Sequence, residues 1–341
     1  MRGAERVCAT NEVRSEIQTA RARPRAAQRK FLTFITKQKN KRLLMIKVAI
    51  VGFGNVGKYA LDAVQEAPDM ELVGIVSNHL SENKPVEFSN INIVDDVDKL
   101  GKVDVAILAT ATRKVEENAI KLLKKGINTV DSFDIHTNIF ELKTSLDKVA
   151  KENNAVSVIS AGWDPGSDSV VRALMQAIVP KGITYTNFGP GMSMGHSVVA
   201  KSKTGVEDAL SMTMPLGDSI HRRIVYLQMK KGADFDWACK EIKADDYFAH
   251  DETVFVKVDN VKDVLDYGHG VHLTRKGVSG KTHNQLMEFN MKINNPALTS
   301  QIMVAYARAT TKMPAGCYTT IEIPVIKLLQ GSDEENIKKL V

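Results

Sequence analysis

Cysteine is scarce in this sequence. Only Cys8, Cys239 and Cys317 occur among its 341 residues, too few for a disulfide framework and too scattered for a cluster of metal ligands. His272 and His283 have no second ligand-like residue at metal spacing either, so we expect no bound metal. So few thiols suit a reducing compartment, and we predict a cytoplasmic protein.

Long apolar runs are also missing. No stretch of 18 or more consecutive apolar residues occurs, which excludes a transmembrane helix. The N-terminal segment lacks the apolar core that a secretory leader carries before its cleavage site. Hydrophobic residues make up 43% of the chain and charged residues 25%, as in ordinary soluble proteins. At this length the chain has room for about two domains.

Acidic residues are scarce only at the beginning of the chain. Residues 1–44 contain 12 Lys and Arg but 3 Asp and Glu, so the net charge of +6 for the whole chain leaves the remainder slightly acidic. The slightly acidic charge of residues 45–341 argues against nucleic acid as a partner. Because residues 1–44 also lack hydrophobic periodicity, we expect this basic extension to be disordered.

Three interpretations of residues 1–44 stay open. An arginine-rich transit peptide would explain the charge, but Glu5, Glu12 and Glu16 speak against it. A basic arm for nucleic acid is the second. We favour the third, in which Met45 is the natural start, because the basic segment changes abruptly into an apolar strand there.

From Met45 onward, short apolar runs alternate with helical patterns. The first run, Ile46–Val51, has the nearly continuous apolar character of a strand buried on both faces of a parallel sheet, and we predict that it is the central strand. The strands predicted after it cover residues 71–77, 103–110, 129–130 and 155–160, and the helices run to residue 67 and over 115–125 and 139–152. This alternation predicts a doubly wound parallel sheet.

A glycine-rich turn joins the first strand to the first helix. Its residues are Gly52, Phe53, Gly54, Asn55, Val56 and Gly57. The first glycine permits the tight turn, the second lets the backbone approach a pyrophosphate, and the third allows close helix–strand packing. The helix N-terminus offers free N–H groups to the phosphates. A GxGxxG pattern alone is weak evidence, but this strand and helix predict a dinucleotide site of the Rossmann type rather than a turn that merely packs.

The end of the second strand lacks an acidic residue. An NAD site usually has a carboxylate about 20 residues beyond the turn, where it binds the ribose 2′-hydroxyl; here Ser77, Asn78 and His79 occupy that place. These side chains would accept a 2′-phosphate, so the sequence predicts NADP, with NAD less favoured. No Arg supports this preference at that position.

The pattern changes after Gly166. Longer alternating stretches, such as 183–188 and 253–258, replace the helix–strand alternation. We therefore predict an α/β protein with a doubly wound parallel Rossmann sheet and a second, mixed α+β domain. The expected boundaries are 1–44 for the basic extension, 45–165 for the dinucleotide-binding domain, 166–295 for the mixed second domain, and 296–341 for a helical segment that packs back on the first domain.

Polar residues follow the later strands of the first domain. Residues 131–136 follow one strand and residues 160–166 the next, and open α/β sheets bind ligands at these ends. Trp163 beside Asp164, before a Pro-Gly turn, suits a cation site in which a carboxylate holds an ammonium group and an indole covers it. The alternative is structural: the Asp caps a helix and the Trp fills a domain boundary.

Other candidate residues lie in the second half. The glycine-rich segments 187–196 and 267–270 are either binding loops or turns. Arg222 and Arg223 either bind a carboxylate with two hydrogen bonds or lie on a solvated face. Residues 294–297 predict a turn that opens a helix, with an Asn side chain free for a ligand.

Seven stretches carry a family resemblance. They are 48–57, PDMELVG at 68–74, VDSFDIH at 130–136, VISAGWDPG at 158–166, TYTNFGPGMSMGHS at 184–197, GHG at 268–270 and NNPALT at 294–299. Through them nearly all of residues 45–341 resembles the meso-diaminopimelate dehydrogenases, and the runs WDPG and GPGMSMGH are highly specific. Residues 1–44 have no counterpart.

The resemblance implies a reaction and a set of site residues. The reaction is reversible NADP-dependent oxidative deamination of the D-centre of meso-2,6-diaminopimelate, in lysine and diaminopimelate biosynthesis, by a homodimer. The resemblance places Asp134, Trp163 and Asp164 around the D-centre amino group as catalytic residues. The rest of the substrate pocket would be lined by Phe188, Met194, Thr213, Arg223, His269 and Asn295.

The resemblance also extends the cofactor site beyond the glycine turn. The added residues are Ala111, Thr112, Arg113, Asp134, Ile135, His136, Trp163, Asp164, Pro165, Gly166 and Ser167. Family members commonly carry Arg where this chain has Ser77, Asn78 and His79, which bears on the strength of the NADP preference. Two other functions are considered: a related D-amino acid dehydrogenase that aminates other 2-oxo acids, and a catalytically silent dinucleotide sensor.

Overall fold

The computed structural model describes residues 45–341. The predictions about residues 1–44 lie outside the described residues. The strands are β1 (Ile46–Val51), β2 (Met70–Val76), β3 (Ile93–Val94), β4 (Val105–Leu108), β5 (Asn128–Asp131), β6 (Val156–Ile159), β7 (Lys181–Phe188), β8 (Gly191–Met192), β9 (Val206–Gly217), β10 (Ile220–Met229), β11 (Glu252–Lys257), β12 (Gly268–Ser279), β13 (Thr282–Asn294) and β14 (Gly316–Thr319).

Helices connect most of these strands. They are α1 (Asn55–Gln65), α2 (Asn78–Glu82), α3 (Val115–Leu123), α4 (Ile139–Glu152), α5 (Ser167–Ile178), α6 (Met194–Lys201), α7 (Phe235–Lys243), α8 (Asn295–Thr310) and α9 (Asp333–Leu340). Short 3₁₀ turns cover Val86–Phe88, Val97–Lys99, Thr112–Lys114, His136–Asn138, Val261–Val264, Thr320–Glu322 and Val325–Leu328. No helix in the described part of the chain is both long and apolar enough to span a membrane.

Seven parallel strands form the first sheet, in the order β14-β6-β5-β4-β1-β2-β3. Every residue of β4 and β6 is buried, because helices cover both faces. One face packs against α1 and α8 and the other against α3 and α4. A parallel sheet covered on both faces explains the continuous apolar runs in the sequence, and it confirms the predicted doubly wound α/β fold.

Two details of the sheet differ from the sequence predictions. The middle strand is β4, and β1 lies next to it. The segment after residue 296 also contains strand β14, which pairs in parallel with β6 and extends the sheet at its far edge. Four residues, GCYT, are too few to show a strand period, so only the pairing identifies this strand.

Helix α8, at the start of the C-terminal segment, is buried against one face of the first sheet. Met303, Val304 and Ala307 are fully buried and pack with apolar residues of α1 and β1. A helix buried on nearly all sides needs no polar face, which is why its sequence lacks clear amphipathic periodicity.

Two smaller sheets make up the second part of the fold, as the predicted mixed α+β domain requires. One has the order β11-β10-β9-β8 and combines parallel and antiparallel pairs, and the other is antiparallel with the order β13-β12-β7. Helix α6 packs on β9, and α5 packs on β7 and β12. The loops that follow β4, β5 and β6 face this second part across a cleft.

Candidate active site

The cleft has a volume of about 400 Å³. Its walls bring together segments far apart in the sequence. The lining residues are Val56, Thr110, Ala111, Thr112, Arg113, Ser132, Asp134, Gly162, Trp163, Asp164, Pro165, Ser193, Met194, Gly195, Val198, Val199, Ser202, Tyr247, His269, Asn295 and Thr299. Eleven of these are predicted site residues, so the cleft lies at the strand ends where the sequence indicated a ligand.

The glycine turn lies beside this cleft, between β1 and α1. Gly52 has a φ of +90°, and a Cβ there would lie 2.5 Å from the carbonyl oxygen of Ala109. A Cβ on Gly57 would lie 2.5 Å from the carbonyl oxygen of Gly52, whereas a Cβ on Gly54 would have no protein atom within 4 Å. The first and third glycines therefore serve the packing, and the second leaves open space at a helix N-terminus.

The helix α1 that starts at Asn55 has no side-chain cap. Its first N–H groups therefore have no intrahelical or capping partner and point toward the open space beside Gly54. This arrangement fits a pyrophosphate, which unpaired amides and the helix dipole both favour.

Ser77 caps the short helix α2 at the end of β2. Its Oγ accepts a hydrogen bond of 3.5 Å from the backbone N–H of Leu80, while its own N–H donates to the carbonyl of Val94. Asn78 and His79 are exposed. The three predicted ribose-binding residues thus lie at the carboxyl end of β2, beside the glycine turn, and their contact with a ribose stays a prediction.

A buried carboxylate shapes the loop that carries Asp134. Oδ1 of Asp131 accepts hydrogen bonds from the N–H groups of Phe133 (2.9 Å) and Ser160 (3.1 Å), which ties the loops after β5 and β6 together. Burial raises the pKa of Asp131 to about 7. Asp134 then projects into the cleft, where its Oδ1 accepts from Oγ1 of Thr112 at 2.6 Å.

Trp163 lies at the back of the cleft and is 7% exposed. Its ring centroid is 4.8 Å from that of His269 and 5.9 Å from that of Phe188. Burial lowers the pKa of His269 to about 4, so this imidazole is neutral at neutral pH. Nδ1 of His269 lies 2.7 Å from the backbone nitrogen and 3.0 Å from the carbonyl oxygen of Gly270, so the backbone of Gly270 holds the ring in place.

Asp164 forms an ion pair with Arg172, one turn into helix α5. The side chain of Asp164 is nearly buried, so a cationic partner stabilises its charge in this wall of the cleft. The predicted cation site therefore already holds a protein cation. Sequence reasoning missed Arg172, although its position on the helix that follows the Pro-Gly turn was a usable signal.

Three of the residues predicted to line the rest of the substrate pocket, Phe188, Thr213 and Arg223, are not among the residues that line the cleft. Arg223 donates from Nε to Oδ2 of Asp251 at 2.6 Å and also hydrogen-bonds Thr213, its cross-strand neighbour. Phe188 packs between Trp163 and His221. These residues form a second layer next to the cleft wall, and their role with a substrate stays a prediction.

The remaining predicted residues lie near the cleft without lining it. Ile135 and His136 follow Asp134 at the start of a 3₁₀ turn, and Gly166 and Ser167 begin helix α5. Phe53 of the glycine turn packs edge-on against Phe88 at 5.2 Å. Their contact with a cofactor stays a prediction.

Several cleft residues were not singled out from the sequence. One is Val198 on helix α6, which lies four residues after the predicted Met194 and so on the same helix face, and is 62% exposed. Tyr247 had no motif around it. Within residues 45–341, no group of three or more His, Cys, Asp or Glu side chains is arranged to hold a metal ion.

Comparison with known families first defines the class of protein. Residues 46–168 match the family model described as oxidoreductase family, NAD-binding Rossmann fold. Residues 162–222 match the diaminopimelic acid dehydrogenase C-terminal domain. The protein is thus an oxidoreductase with a nicotinamide-dinucleotide-binding Rossmann domain, which confirms the predicted enzyme class.

Individual relatives specify the family. The chain is 58% identical over 296 residues to a meso-diaminopimelate D-dehydrogenase from Bacteroides fragilis, covering 87% of this chain and 99% of that one. The chain belongs to the meso-diaminopimelate D-dehydrogenase family. The structure of the C. glutamicum DAP dehydrogenase in complex with DAP has a TM-score of 0.79, 28% identity and coverage of 87% of this chain and 100% of that one.

An engineered member of the same structural group carries a cofactor. The structure of an engineered D-amino acid dehydrogenase bound to NADP⁺ has a TM-score of 0.78 and 26% identity, and covers 87% of this chain and 100% of that one. The similarity in both structures extends over the Rossmann domain and the second part of the fold.

Proposed function

We propose that this chain catalyses the reversible oxidative deamination of the D-centre of meso-2,6-diaminopimelate. With NADP⁺ and water as co-reactants, the products are L-2-amino-6-oxopimelate, ammonia, NADPH and a proton. The observation that carries the proposal is the 58% identity to a relative of that activity over 99% of its length. The presence of Asp134, Trp163 and Asp164 in one cleft supports it.

The residues present fit a dinucleotide. Open space beside Gly54 and the uncapped start of α1 would accept the pyrophosphate. Preference for NADP over NAD is supported by the absence of a carboxylate among Ser77, Asn78 and His79 at the end of β2, since an acidic residue there would repel a 2′-phosphate. The NADP⁺ bound to the engineered dehydrogenase also supports it.

The side chains of the cleft supply charge and position. A bound nicotinamide ring supplies the acceptor for the hydrogen and electron pair that leave the substrate Cα. Asp134 and Asp164 stabilise the positive charge that develops on the amino nitrogen, and one of them or a water molecule accepts the proton. Water then adds to the imine carbon and ammonia leaves. Trp163 covers the reacting centre and limits the orientations open to the substrate.

The two parts of the fold divide the work in this proposal. Residues 45–165 bind the dinucleotide, residues 166–295 bind the substrate and dimerise, and residues 296–341 pack on the first domain. Exposed apolar side chains on α5 and on its neighbouring sheet support a homodimer. They are Leu174, Ile178, Ile183 and Leu286, each 49–59% exposed. Light scattering on the purified protein tests the dimer, and a cytoplasmic location stays a prediction.

A stereochemical substrate panel tests the function. The meso, LL and DD forms of diaminopimelate are each assayed with NADP⁺ and with NAD⁺, following absorbance of the reduced cofactor. Turnover of the meso form and faster reaction with NADP⁺ are expected. Equal or faster turnover of simple D-amino acids would favour a broader D-amino acid dehydrogenase. Dinucleotide binding without any turnover would favour a silent sensor.

A further inference from the structure

The carboxylate of Asp134 is held from both sides of the cleft. Its Oδ1 accepts a hydrogen bond of 2.6 Å from Thr112, which belongs to the loop after β4. The same oxygen accepts a hydrogen bond of 3.0 Å from the hydroxyl of Tyr247, in the turn between α7 and β11. All three residues line the cleft. One oxygen thus has a donor from the Rossmann domain and another from the second part of the fold.

Tyr247 is itself fixed by its surroundings. Its ring lies edge-on to that of His196, with the centroids 5.2 Å apart, and Nδ1 of His196 is 2.8 Å from Oγ of Ser193. Burial lowers the pKa of His196 to about 3, so this imidazole stays neutral. The next residue, Phe248, is fully buried in the core of the second part. The phenol therefore has little freedom to turn away from Asp134.

Ion pairs hold the turn that carries Tyr247. The backbone N–H of Tyr247 donates to Oδ1 of Asp245 at 3.2 Å, and Oδ2 of Asp245 lies 2.7 Å from Nζ of Lys203. The same oxygen is 3.9 Å from the guanidinium of Arg113, across the cleft. These contacts connect the turn to both walls.

The hydroxyl group of Tyr247 is protonated at neutral pH and can donate a hydrogen bond. Burial and the neighbouring Asp134 carboxylate raise the pKa of Tyr247 above its ordinary value, so the hydroxyl keeps its proton. A protonated phenol next to a carboxylate donates to it, and such charge-assisted hydrogen bonds are stronger than neutral ones. Tyr247 is therefore the donor and Asp134 the acceptor of this hydrogen bond.

The second oxygen of Asp134 is left for another partner. A Cβ on Gly195 would lie only 2.7 Å from Oδ2 of Asp134 and 3.0 Å from a ring carbon of Tyr247. Gly195 therefore provides the space that this oxygen needs at the cleft surface. With Oδ1 engaged twice, Oδ2 is the oxygen that can accept from an amino group.

We propose, on the basis of the function proposed above, that Tyr247 is a positioning residue for the deamination. Its hydroxyl fixes the plane of the Asp134 carboxylate, so that Oδ2 faces the amino group of the substrate's D-centre. Because Thr112 and Tyr247 belong to opposite walls, both donors reach the carboxylate only while the two walls stay together. These two hydrogen bonds would raise the rate of deamination because they hold the carboxylate in the geometry that the reaction needs.

Replacing Tyr247 by Phe in the full chain removes the donor and keeps the ring. We expect kcat with meso-diaminopimelate to fall about 10- to 100-fold, with the Kd for NADPH changed less than about twofold. The matched control is Tyr318→Phe, which removes a hydroxyl that donates to the carbonyl of Pro314, away from the cleft. A Tyr247→Phe enzyme no slower than this control would overturn the proposal.

A double-mutant cycle separates positioning from a general structural effect. If Tyr247 acts through Asp134, Tyr247→Phe should slow the Asp134→Asn enzyme by less than about threefold, since coupled residues give non-additive effects. Full additivity, or an equal loss of NADPH binding, would contradict a role through Asp134.

Wild-type turnover tests the proposed function separately. If the wild type oxidises another D-amino acid instead of meso-diaminopimelate, the proposed substrate is wrong. The kcat values of the variants relative to wild type are then measured with that amino acid. Absence of any amino-acid turnover by the wild type would overturn both proposals.

Discussion

The indole nitrogen of Trp163 donates a hydrogen bond of 3.0 Å to Oδ1 of Asn295, 132 residues further along the chain. The amide nitrogen of Asn295 donates in turn to the carbonyl of Met192 at 2.9 Å. One side chain at the start of α8 therefore joins the loop after β6 to strand β8 behind the cleft. The orientation of Trp163 depends on this contact.

Asn295→Ala should lower both stability and substrate affinity. The substitution leaves the Trp163 N–H and the Met192 carbonyl without their partner, which costs about 1–3 kcal/mol for a buried polar group. We expect a rise in KM for the substrate and a change in tryptophan fluorescence. The control is Asn294→Ala, which removes only the cap of α8 and costs about 1 kcal/mol. An unchanged KM in the Asn295 variant would show that Trp163 keeps its orientation without this bond.

Gly54→Ala and Gly57→Ala should separate ligand binding from folding. An added Cβ at Gly54 meets no protein atom within 4 Å, so melting temperature should be nearly unchanged while NADPH affinity falls about tenfold or more, because the methyl group occupies the pyrophosphate's approach. At Gly57 the Cβ meets a backbone oxygen at 2.5 Å, so both stability and affinity should fall. Fluorescence titration and thermal melts provide the measurements. Normal NADPH binding by the Gly54 variant would count against a pyrophosphate at this turn.

Ser77→Asp should reduce the preference for NADP. Asp caps helices as well as Ser does, so α2 keeps its N-cap, but its charge would repel a 2′-phosphate. We expect kcat/KM with NADP⁺ to fall about 100-fold, or about 2.7 kcal/mol, with the value for NAD⁺ unchanged or raised. Ser77→Asn, which keeps a cap without the charge, is the matched control. Equal losses with both cofactors would place the 2′-phosphate elsewhere.

Asp168→Asn should change how stability depends on pH. Neither carboxylate oxygen of Asp168 has a hydrogen-bonding partner among the described residues, and burial, with the Asp164 carboxylate nearby, raises its pKa to about 7. A pKa raised in the folded state means that the native protein holds this proton more tightly than the unfolded chain. The wild type therefore loses stability as pH rises from about 4 to about 7.

The Asp168→Asn variant has no carboxyl group to ionise at this position, so it should not lose stability in this way as pH rises. Its unfolding free energy relative to wild type should rise between pH 5 and pH 8 by roughly 1–2 kcal/mol, because the two pKa units between pH 5 and a folded pKa of about 7 correspond to at most about 2.7 kcal/mol. Urea unfolding at the two pH values measures the difference, and Asp62→Asn, on the exposed face of α1, is the control. A difference that does not depend on pH would mean that Asp168 is ionised in the folded protein.

The elements predicted best are those with a complete local pattern. Strand β1 and helix α4 have the predicted bounds, and the first and third glycines of the turn contact their neighbours as the pattern indicates. Strand β14 was missed because it has four residues and exists through its pairing with β6. The prediction that β1 is the central strand was wrong for the same reason. Strand β14 lengthens the sheet at the edge far from β3, which makes β4 the middle strand.

The candidate site shows the same division. Asp134, Trp163 and Asp164 stand in motifs, and a motif is a property of neighbouring residues. Tyr247 became a site residue only through its contacts, because its hydrogen bond to Asp134 spans 113 residues of sequence and no short pattern encodes such a separation.

Sequence alone was therefore sufficient for the α/β class, the dinucleotide turn and the family, because periodicity, turn chemistry and motifs are local. The folded chain decided which oxygen of Asp134 is engaged and which cation pairs with Asp164. Hydrogen bonds and ion pairs depend on distances of a few ångströms between segments that meet only when the two parts of the fold pack together.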